Sequence, residues 1–384
     1  MVTHSQRTLQ AVSNSGRYEK LQGPPPDLTF MPEFLPERLT AQSVGSAFRF
    51  TKDNLSLVKH TGIPPGIARE FALEREAHSV LRASTLSVID KLNVAAKESS
   101  GRHRYVLHGE GGSGRSVSLL QSVIYAQQSD WLVWYIPKSQ HLVDSSFDYI
   151  PPAAGTQTWS QPALSAHLLK TFAESNKDKL TKMKISEDCA GVKAGDSLYA
   201  LCLHASAQES AAVDVFEGVF KQLNTQTTYP VLLAMDSVQA LFQPTLYRDQ
   251  HFNKLQPYDL SVTAKLLELI SGRQQLKKGA IVTATSSTPT SMQIPPVLLA
   301  QLGLQPKTPI NPLKKWNTRH LDNSNGLQLV DMKSLTFAEA VGVFESLGKT
   351  LGISYPMSDE LLLAKFTEAG GSPKVFTNSL RSMM

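Results

Sequence analysis

The residues of this chain most suited to chemistry form a glycine-rich octapeptide, GEGGSGRS, at Gly109–Ser116. We call it the glycine loop. It fits the phosphate-binding pattern G-x-x-x-x-G-K-[ST] except that Arg115 stands where the pattern has lysine. Glycines let such a loop wrap a phosphate with its backbone N–H groups directed inward, and a helix beginning there adds a favourable dipole. The octapeptide therefore predicts a site for the phosphate groups of a nucleotide.

Individual residue types in the glycine loop have predicted roles. Ser116 supplies a hydroxyl for Mg²⁺, and Arg115 keeps a positive charge beside the phosphates. A guanidinium is planar and forked whereas an ammonium is compact, so this substitution affects hydrolysis more than binding. The predicted nucleotide-binding residues of this segment are Gly109, Glu110, Gly111, Gly112, Ser113, Gly114, Arg115, Ser116 and Val117.

An acidic residue at the end of a distant apolar run completes the predicted site. The segment VLLAMD places Asp236 at the end of a predicted strand, as in the Walker B element, whose carboxylate supports Mg²⁺. Ser116 and Asp236 are thus the predicted Mg²⁺ ligands. Ser237 follows at the position where many ATPases have a second acid that activates water. The sequence therefore predicts slow or absent hydrolysis.

Polar residues in two other segments extend the predicted site. Thr283, Thr285 and Ser286 end the run GAIVTATSS, where a hydroxyl can reach the γ-phosphate or the attacking water. Lys374 lies in GGSPK, which opens a predicted helix, and can face the phosphates. The alternatives are that the hydroxyls are ordinary strand-end residues and that Lys374 is a solvated helix residue.

The elements that position these residues follow from the apolar pattern. Short apolar runs predict strands at 105–108, 131–137, 231–236, 279–287 and 327–332. Helical periodicity predicts helices over 66–97 with a break near Ser84, and over 116–129, 161–176, 197–224 and most of 335–384. Loops are predicted at 177–196 and 289–312. Strands that alternate with helices predict an α/β fold with a mostly parallel sheet.

Composition limits the class of protein. The net charge of +5 and the isoelectric point of about 9.0 are compatible with a nucleic-acid partner. The basic segments KDKLTKMK, RQQLKK and LKKWNTRH permit contact with phosphate backbones, although each alone is more simply a solvated face. No apolar run approaches the ~18 residues of a membrane span, so we predict no membrane contact. Two cysteines without a matching histidine cluster predict neither a disulfide framework nor a zinc site.

Three regions are predicted along the chain. They are an extended tail over 1–55, a nucleotide-binding α/β domain over 56–330 and a helical lid over 331–384. The tail is rich in proline, and it begins with a Ser/Thr-rich segment that holds Arg7 and Arg17 and has no acid before Glu19. This start is typical of a transit-peptide remnant, and a disordered polar tail is the alternative.

Several segments together resemble the death-associated protein 3 family, the nucleotide-binding proteins of the small subunit of the mitochondrial ribosome, with a fungal-type member favoured. The segment YVLHGEGGSGRSVSLLQSVIYAQQSDWLVWYIP resembles the phosphate-loop region of the family. Three later segments resemble the family segments that follow the phosphate-loop region, and these are QPALSAHLLKTFAESN, VLLAMDSVQALF and GGSPK. The family segment that precedes this region is similar to GIPPGIAREFALEREAHSVLRASTLSVIDKL. Arg115 departs from the family, which usually has lysine there.

The resemblance implies an AAA+-like P-loop NTPase fold with a C-terminal helical lid. It implies GTP or GDP, or else ATP, held with Mg²⁺ in a largely structural role in mitochondrial translation. It also implies contacts with small-subunit rRNA, with ribosomal proteins and across a bridge to the large subunit, in the mitochondrial matrix. A guanine-reading N-K-x-D motif is missing, because NKLQ at 253–256 lacks the aspartate. An active ATPase or GTPase switch with a signalling role, and a scaffold with an empty pocket, are the alternative functions.

Overall fold

A computed structural model describes residues 30–74, 77–152, 157–287, 293–306, 316–351 and 357–383 of the chain. Its strands are β1 (Ala47–Arg49), β2 (His78–Val80), β3 (Arg104–His108), β4 (Leu132–Ile136), β5 (Val231–Asp236), β6 (Gly279–Ala284) and β7 (Gln328–Asp331). Its helices are α1 (Ser56–Thr61), α2 (Pro65–Leu73), α3 (Ala83–Ala95), α4 (Arg115–Gln128), α5 (Pro162–Ser175), α6 (Lys177–Lys182), α7 (Leu198–Ala207), α8 (Ala212–Thr225), α9 (Ser261–Ser271), α10 (Pro296–Gln301), α11 (Thr318–Ser324), α12 (Phe337–Leu351), α13 (Asp359–Ala369) and α14 (Pro373–Arg381).

Five strands form a parallel sheet in the order β4-β5-β6-β3-β7. Every residue of β4, β5 and β6 is buried, which explains their continuous apolar runs. All five predicted strands are present, and the predicted α/β fold with a parallel sheet is confirmed. Because the strands are parallel, the residues that follow β3, β5 and β6 meet at one edge of the sheet.

Helices cover both faces of this sheet. On one face, Val133 and Leu232 belong to a cluster with α3 and α4. On the other face, Trp134 stacks on Phe172 of α5 with ring centroids 4.4 Å apart, and it also contacts Phe220 of α8. Neighbouring residues on a strand thus serve opposite layers of the core, as side chains on a pleated strand must.

The C-terminal helices α12, α13 and α14 pack around an apolar cluster of their own. Phe344 of α12, Leu362 of α13 and Phe376 of α14 are among its buried residues. This layer approaches the sheet at the edge where β3, β5 and β6 end. The mostly helical character predicted for 335–384 is confirmed for the residues that the structure describes there.

Two predicted helices are interrupted, and one predicted loop contains a helix. The helix predicted over 66–97 is divided into α2 and α3 by β2, which pairs antiparallel with β1 and buries His78 and Val80. The helix predicted over 197–224 is divided into α7 and α8 by a 3₁₀ turn at Glu209–Ala211. The loop predicted at 177–196 contains α6, because Leu180 is buried in the core.

Connections and termini depart from the predictions in smaller ways. The loop predicted at 289–312 includes α10, and 288–292 and 307–315 lie outside the described residues. The predicted transit-peptide remnant also lies outside them, within 1–29. Residues 30–55, predicted as an extended tail, instead form β1 and bury Phe34 and Phe48 in the core. Within the described ranges, no helix combines the length and the apolar character needed to cross a bilayer.

Candidate functional site

A cavity of about 900 Å³ opens at the carboxyl edge of the sheet, beneath the C-terminal helices. Most of the predicted site residues line it, and these are Gly111, Gly112, Gly114, Arg115, Ser116, Val117, Asp236, Thr285, Ser286 and Lys374. Gly109, Glu110 and Ser113 belong to the same loop but do not line the cavity. Four distant segments of the chain therefore meet around one space, and three of them lie there because they end parallel strands of the sheet.

The glycine loop runs from the end of β3 directly into α4. Gly112 and Gly114 both have positive φ angles, 84° and 86°, which bring the chain around tightly before the helix begins at Arg115. The first N–H groups of a helix have no partner within the helix, and Arg115, Ser116 and Val117 of the first turn line the cavity. This arrangement suits the binding of an anion.

Asp236 is a buried carboxylate, only 2% exposed, at the end of β5. Burial raises its pKa from 3.8 to about 6, and this effect outweighs the opposing influence of Ser116, Ser237 and Arg115. The Ser116 hydroxyl donates a hydrogen bond to this carboxylate. The Ser237 backbone N–H also donates to Oδ1, over 2.6 Å. The two predicted Mg²⁺ ligands are thus in direct contact.

Arg115 is buried although it belongs to the loop that lines the cavity. Its Nη1 and Nη2 donate to the hydroxyls of Thr285 and Ser287 after β6, each over 2.8 Å. Burial lowers the pKa of this guanidinium, and the nearby Asp236 opposes the shift. The side chain predicted to neutralise phosphates is therefore also tied to the neighbouring strand. Ser287 was not among the predicted residues, although it continues the run of hydroxyl residues that was.

The polar end of β6 combines two kinds of residue. Thr283 is fully buried and donates to the Tyr105 carbonyl oxygen over 3.1 Å, so it is an ordinary residue of the sheet. Thr285 lines the cavity and contacts Arg115. The Ser286 backbone N–H donates to Oε1 of Gln239 over 3.1 Å, which fixes the chain after the strand.

Lys374 lies in the first turn of α14, and its backbone contacts the glycine loop. Its backbone N–H donates to the Gly112 carbonyl oxygen over 3.1 Å. A Cβ atom on Gly112 would lie 2.8 Å from the Lys374 Cβ, so the loop and the helix approach closely. The Ser372 hydroxyl caps α14 by accepting from the Val375 N–H. Lys374 is exposed and lines the cavity, so its contact with phosphates stays a prediction beside the alternative of a solvated helix residue.

Charged residues that the sequence analysis missed also surround the cavity. Arg82 precedes α3 and contacts both the glycine loop and Glu339 of α12. At the far end, burial raises the pKa of Glu74, although its ion pairs with His78 and Arg381 oppose the shift. No local motif marks Arg82 or its pair with Glu339, because the two residues lie far apart along the chain.

Thr285→Val is expected to lower the free energy of unfolding by about 1–3 kcal/mol, because it leaves a buried Arg115 N–H without its partner. Thr283→Val is the matched control, since it removes a buried hydroxyl from the same strand without touching Arg115. Urea denaturation of both variants measures the difference. Equal losses in the two variants would show that the contact between Arg115 and Thr285 contributes nothing.

Comparison with known proteins identifies the chain's relatives. A family model described as mitochondrial ribosomal death-associated protein 3 matches residues 79–379, which include the glycine loop, Asp236 and Lys374. The chain belongs to this family. The resemblance found in the sequence motifs is therefore confirmed.

Curated relatives carry one name, small ribosomal subunit protein mS29. The protein of Schizosaccharomyces pombe is 26% identical over 356 residues, which cover 88% of this chain and 71% of that protein. The protein of Bos taurus is 25% identical over 294 residues, which cover 72% of each chain. The protein of Neurospora crassa is 22% identical over 314 residues, which cover 78% of this chain and 66% of that protein. The similarity to this family thus extends well beyond the glycine loop.

Proposed function

We propose that this chain is a structural protein of the small mitochondrial ribosomal subunit, with a P-loop NTPase fold of the AAA+ type, that holds a purine nucleotide with Mg²⁺. The family match and the name shared by its relatives support the ribosomal assignment. The observation that carries the nucleotide assignment is the buried Asp236, which accepts a hydrogen bond from Ser116 of the glycine loop beside the cavity.

The residues present fit a Mg²⁺–nucleotide complex. A buried carboxylate with a pKa raised to about 6 lacks sufficient compensation for its charge, and a divalent cation supplies it. Ser116 and Asp236 would hold the ion together with phosphate oxygens and water, since Mg²⁺ keeps several waters and takes few protein ligands. The glycine loop, the first turn of α4 and Lys374 would surround the phosphates. The bound ion would neutralise the negative charge of both the phosphates and Asp236.

The same residues favour retention of the nucleotide over its hydrolysis. Ser237 offers no carboxylate to activate water. The Thr285 hydroxyl accepts from Arg115 and lies 3.3 Å from the Leu107 carbonyl oxygen, so both of its hydrogen-bonding roles are taken. We infer slow or absent turnover, because neither residue is available to orient the attacking water.

Beyond the phosphates, the cavity has room and apolar walls for a purine ring. Ile67 of α2 and Val343 and Leu347 of α12 line this part. Gln121, two turns into α4, lies beside them, and its Nε2 donates to the Val80 carbonyl oxygen. Its Oε1 is buried and has no hydrogen-bond partner among the described residues, so a base would reach it only after the side chain moves. We propose GTP or GDP on the strength of the family resemblance, with ATP as the alternative.

The remaining assignments concern the ribosome and extend beyond the site. We propose contacts with small-subunit rRNA, with neighbouring ribosomal proteins and with the large subunit, in the mitochondrial matrix. The isoelectric point of about 9.0 supports an RNA partner. Not every lysine of the basic segments is available for this purpose. Lys179 donates to the carbonyl oxygens of Gln127 and Trp131 and is therefore a structural residue.

Identification of the bound molecule tests the proposal. The native protein is denatured in EDTA, the released nucleotide is separated by chromatography, and released metal is measured by mass spectrometry. We expect close to one guanine nucleotide and one Mg²⁺ for each chain, and co-sedimentation with mitochondrial small subunits. Absence of nucleotide would indicate a scaffold with an empty pocket. Rapid turnover abolished by Asp236→Ala would indicate an active switch.

A further inference from the structure

Arg82 joins three distant parts of the chain with one guanidinium group. Its Nη1 donates to the carbonyl oxygen of Ser113 in the glycine loop over 2.6 Å. Its Nη2 donates to the Lys333 carbonyl oxygen over 2.7 Å, and its Nε donates to Oε2 of Glu339 over 3.2 Å. The side chains of this ion pair are only 9% and 2% exposed. A buried pair of this kind holds its surroundings firmly, because loss of either partner leaves an uncompensated charge.

Glu339 extends this connection to the start of two helices. Its Oε2 also accepts from the backbone N–H of Thr336, and the Thr336 hydroxyl accepts from the Glu339 N–H, which forms a capping box at the start of α12. Its Oε1 accepts from the N–H of Ala83, the first residue of α3. One carboxylate thus fixes the beginnings of α3 and α12 beside Arg82.

The contact with Ser113 determines how the glycine loop presents its amides. A trans peptide unit is planar, and its C=O and N–H bonds point in opposite directions. The Ser113 carbonyl oxygen is drawn toward Arg82, so the N–H of Gly114 in the same peptide unit points away from Arg82. Arg82 therefore fixes one of the loop's phosphate donors without itself approaching the phosphate as a ligand.

We propose that Arg82 is the positioning residue of the glycine loop and that, through Glu339, it couples phosphate binding to the order of α12. This inference rests on the proposed nucleotide function. A phosphate on the loop holds the Ser113–Gly114 peptide in the orientation that Arg82 requires. Arg82 in turn holds Glu339 and the first turn of α12. Occupancy of the loop thereby stabilises the C-terminal helices.

The variant Arg82→Lys tests the positioning role. A lysine ammonium keeps the positive charge, but it lacks the planar, forked donors with which the guanidinium bonds three separate partners. Binding of GDP and guanosine, with ADP and adenosine in parallel, is measured by calorimetry on nucleotide-stripped protein. We expect the affinity for the diphosphate to fall about tenfold or more, because a charged hydrogen bond that orders the loop is lost. The affinity for the nucleoside should stay within about threefold of wild type, so the ratio of the two affinities falls.

Arg104→Lys is the matched control. The Arg104 guanidinium likewise donates three hydrogen bonds, all to backbone carbonyl oxygens, those of Gly101, Ile270 and Asn325, but at the opposite end of β3 from the loop. It should lower stability without changing the ratio of diphosphate to nucleoside affinity. An Arg82→Lys variant with the wild-type ratio would overturn the positioning role. Wild-type protein that binds neither diphosphate would instead overturn the proposed function.

Hydrogen exchange measures the coupling to α12. Addition of GDP should slow exchange of the α12 amides in wild type and in Arg104→Lys, but not in Arg82→Lys. Glu339→Gln provides a second variant if Arg82→Lys does not fold. It keeps the shape of the side chain but removes the charge that pairs with Arg82, so the protection of α12 by GDP should be lost even where diphosphate binding is retained. Full protection of α12 in Glu339→Gln would refute the coupling.

Discussion

Asp236→Asn is expected to raise the free energy of unfolding of the nucleotide-free protein by about 3 kcal/mol at about pH 7.5. The pKa of Asp236 rises from 3.8 to about 6 on folding, and each pKa unit corresponds to about 1.4 kcal/mol. Asparagine has nearly the same shape and can still accept from the Ser237 N–H. A residue proposed to bind Mg²⁺ thus destabilises the fold when the ion is absent.

The pH dependence of this gain follows from proton linkage. Between pH 3.8 and about 6 the folded protein holds a proton on Asp236 that the unfolded chain has released. The stability of the wild type therefore falls as pH rises through this window and levels off above it. The difference in the free energy of unfolding between Asp236→Asn and wild type should therefore grow over the same window. It should be close to zero at about pH 3.8, the pKa of Asp236 in the unfolded chain.

Chemical denaturation in EDTA at several pH values measures this effect. Asp331→Asn is the matched control, because Asp331 is an exposed carboxylate at the end of β7 in the same sheet. It should change stability little at any pH. Asp236→Asn should also lose the Mg²⁺ dependence of nucleotide binding. An asparagine variant less stable than wild type at about pH 7.5 would contradict the argument from burial.

Gly112→Ala is expected to displace α14 from the glycine loop and to weaken nucleotide binding about tenfold or more. The positive φ of Gly112 costs an alanine roughly 1–2 kcal/mol. The new Cβ would also lie 2.8 Å from the Lys374 Cβ and 3.1 Å from the Ser372 hydroxyl. The Lys374 backbone is bonded to Gly112, so relief of this overlap requires movement of the helix, at roughly another 1–3 kcal/mol.

Gly370→Ala is the matched control, because it has the cost of a positive φ without the steric overlap that Gly112→Ala creates with α14. Gly370 ends α13 with a φ of 54°, and a Cβ there would meet nothing within 4 Å. This variant should lose only the backbone contribution and keep its affinity for the nucleotide. Thermal unfolding and nucleotide titration of both variants give the comparison. Equal losses of affinity in the two variants would show that contact between α14 and the glycine loop plays no part in binding.

Elements with a strong local signal could be predicted from the sequence. The continuous apolar runs located β4, β5 and β6, because strands buried on both faces need no alternation. Shorter apolar runs located β3 and β7, which are only partly buried. The interruption of the 66–97 helix could not be predicted in the same way. His78 and Val80 form a strand only because β1 pairs with them from a distant part of the chain. Such tertiary pairing overrides the local helical period.

The residues of the candidate site likewise divide into those that a local sequence pattern predicts and those that it does not. The glycine loop and Asp236 could be located because each combines a recognisable pattern with the end of a predicted strand. Arg82 and Glu339 could not, because a buried ion pair between residues 257 positions apart has no local pattern. The orientation of Arg115 toward Thr285 was equally hidden, since it depends on the neighbouring strand order.

The position of β3 inside the sheet has a consequence for when the proposed nucleotide could bind during folding. The glycine loop follows β3, which pairs with β6 on one side and with β7 on the other. Both of these strands lie much later in the sequence and are therefore synthesised after β3. Thr283 and Tyr105, in contact across the first pair, are separated by 178 residues. Parallel strands that are distant in sequence pair slowly during folding, and their edges stay unpaired until they do. We therefore expect the proposed nucleotide to bind late, after the chain has folded through β7.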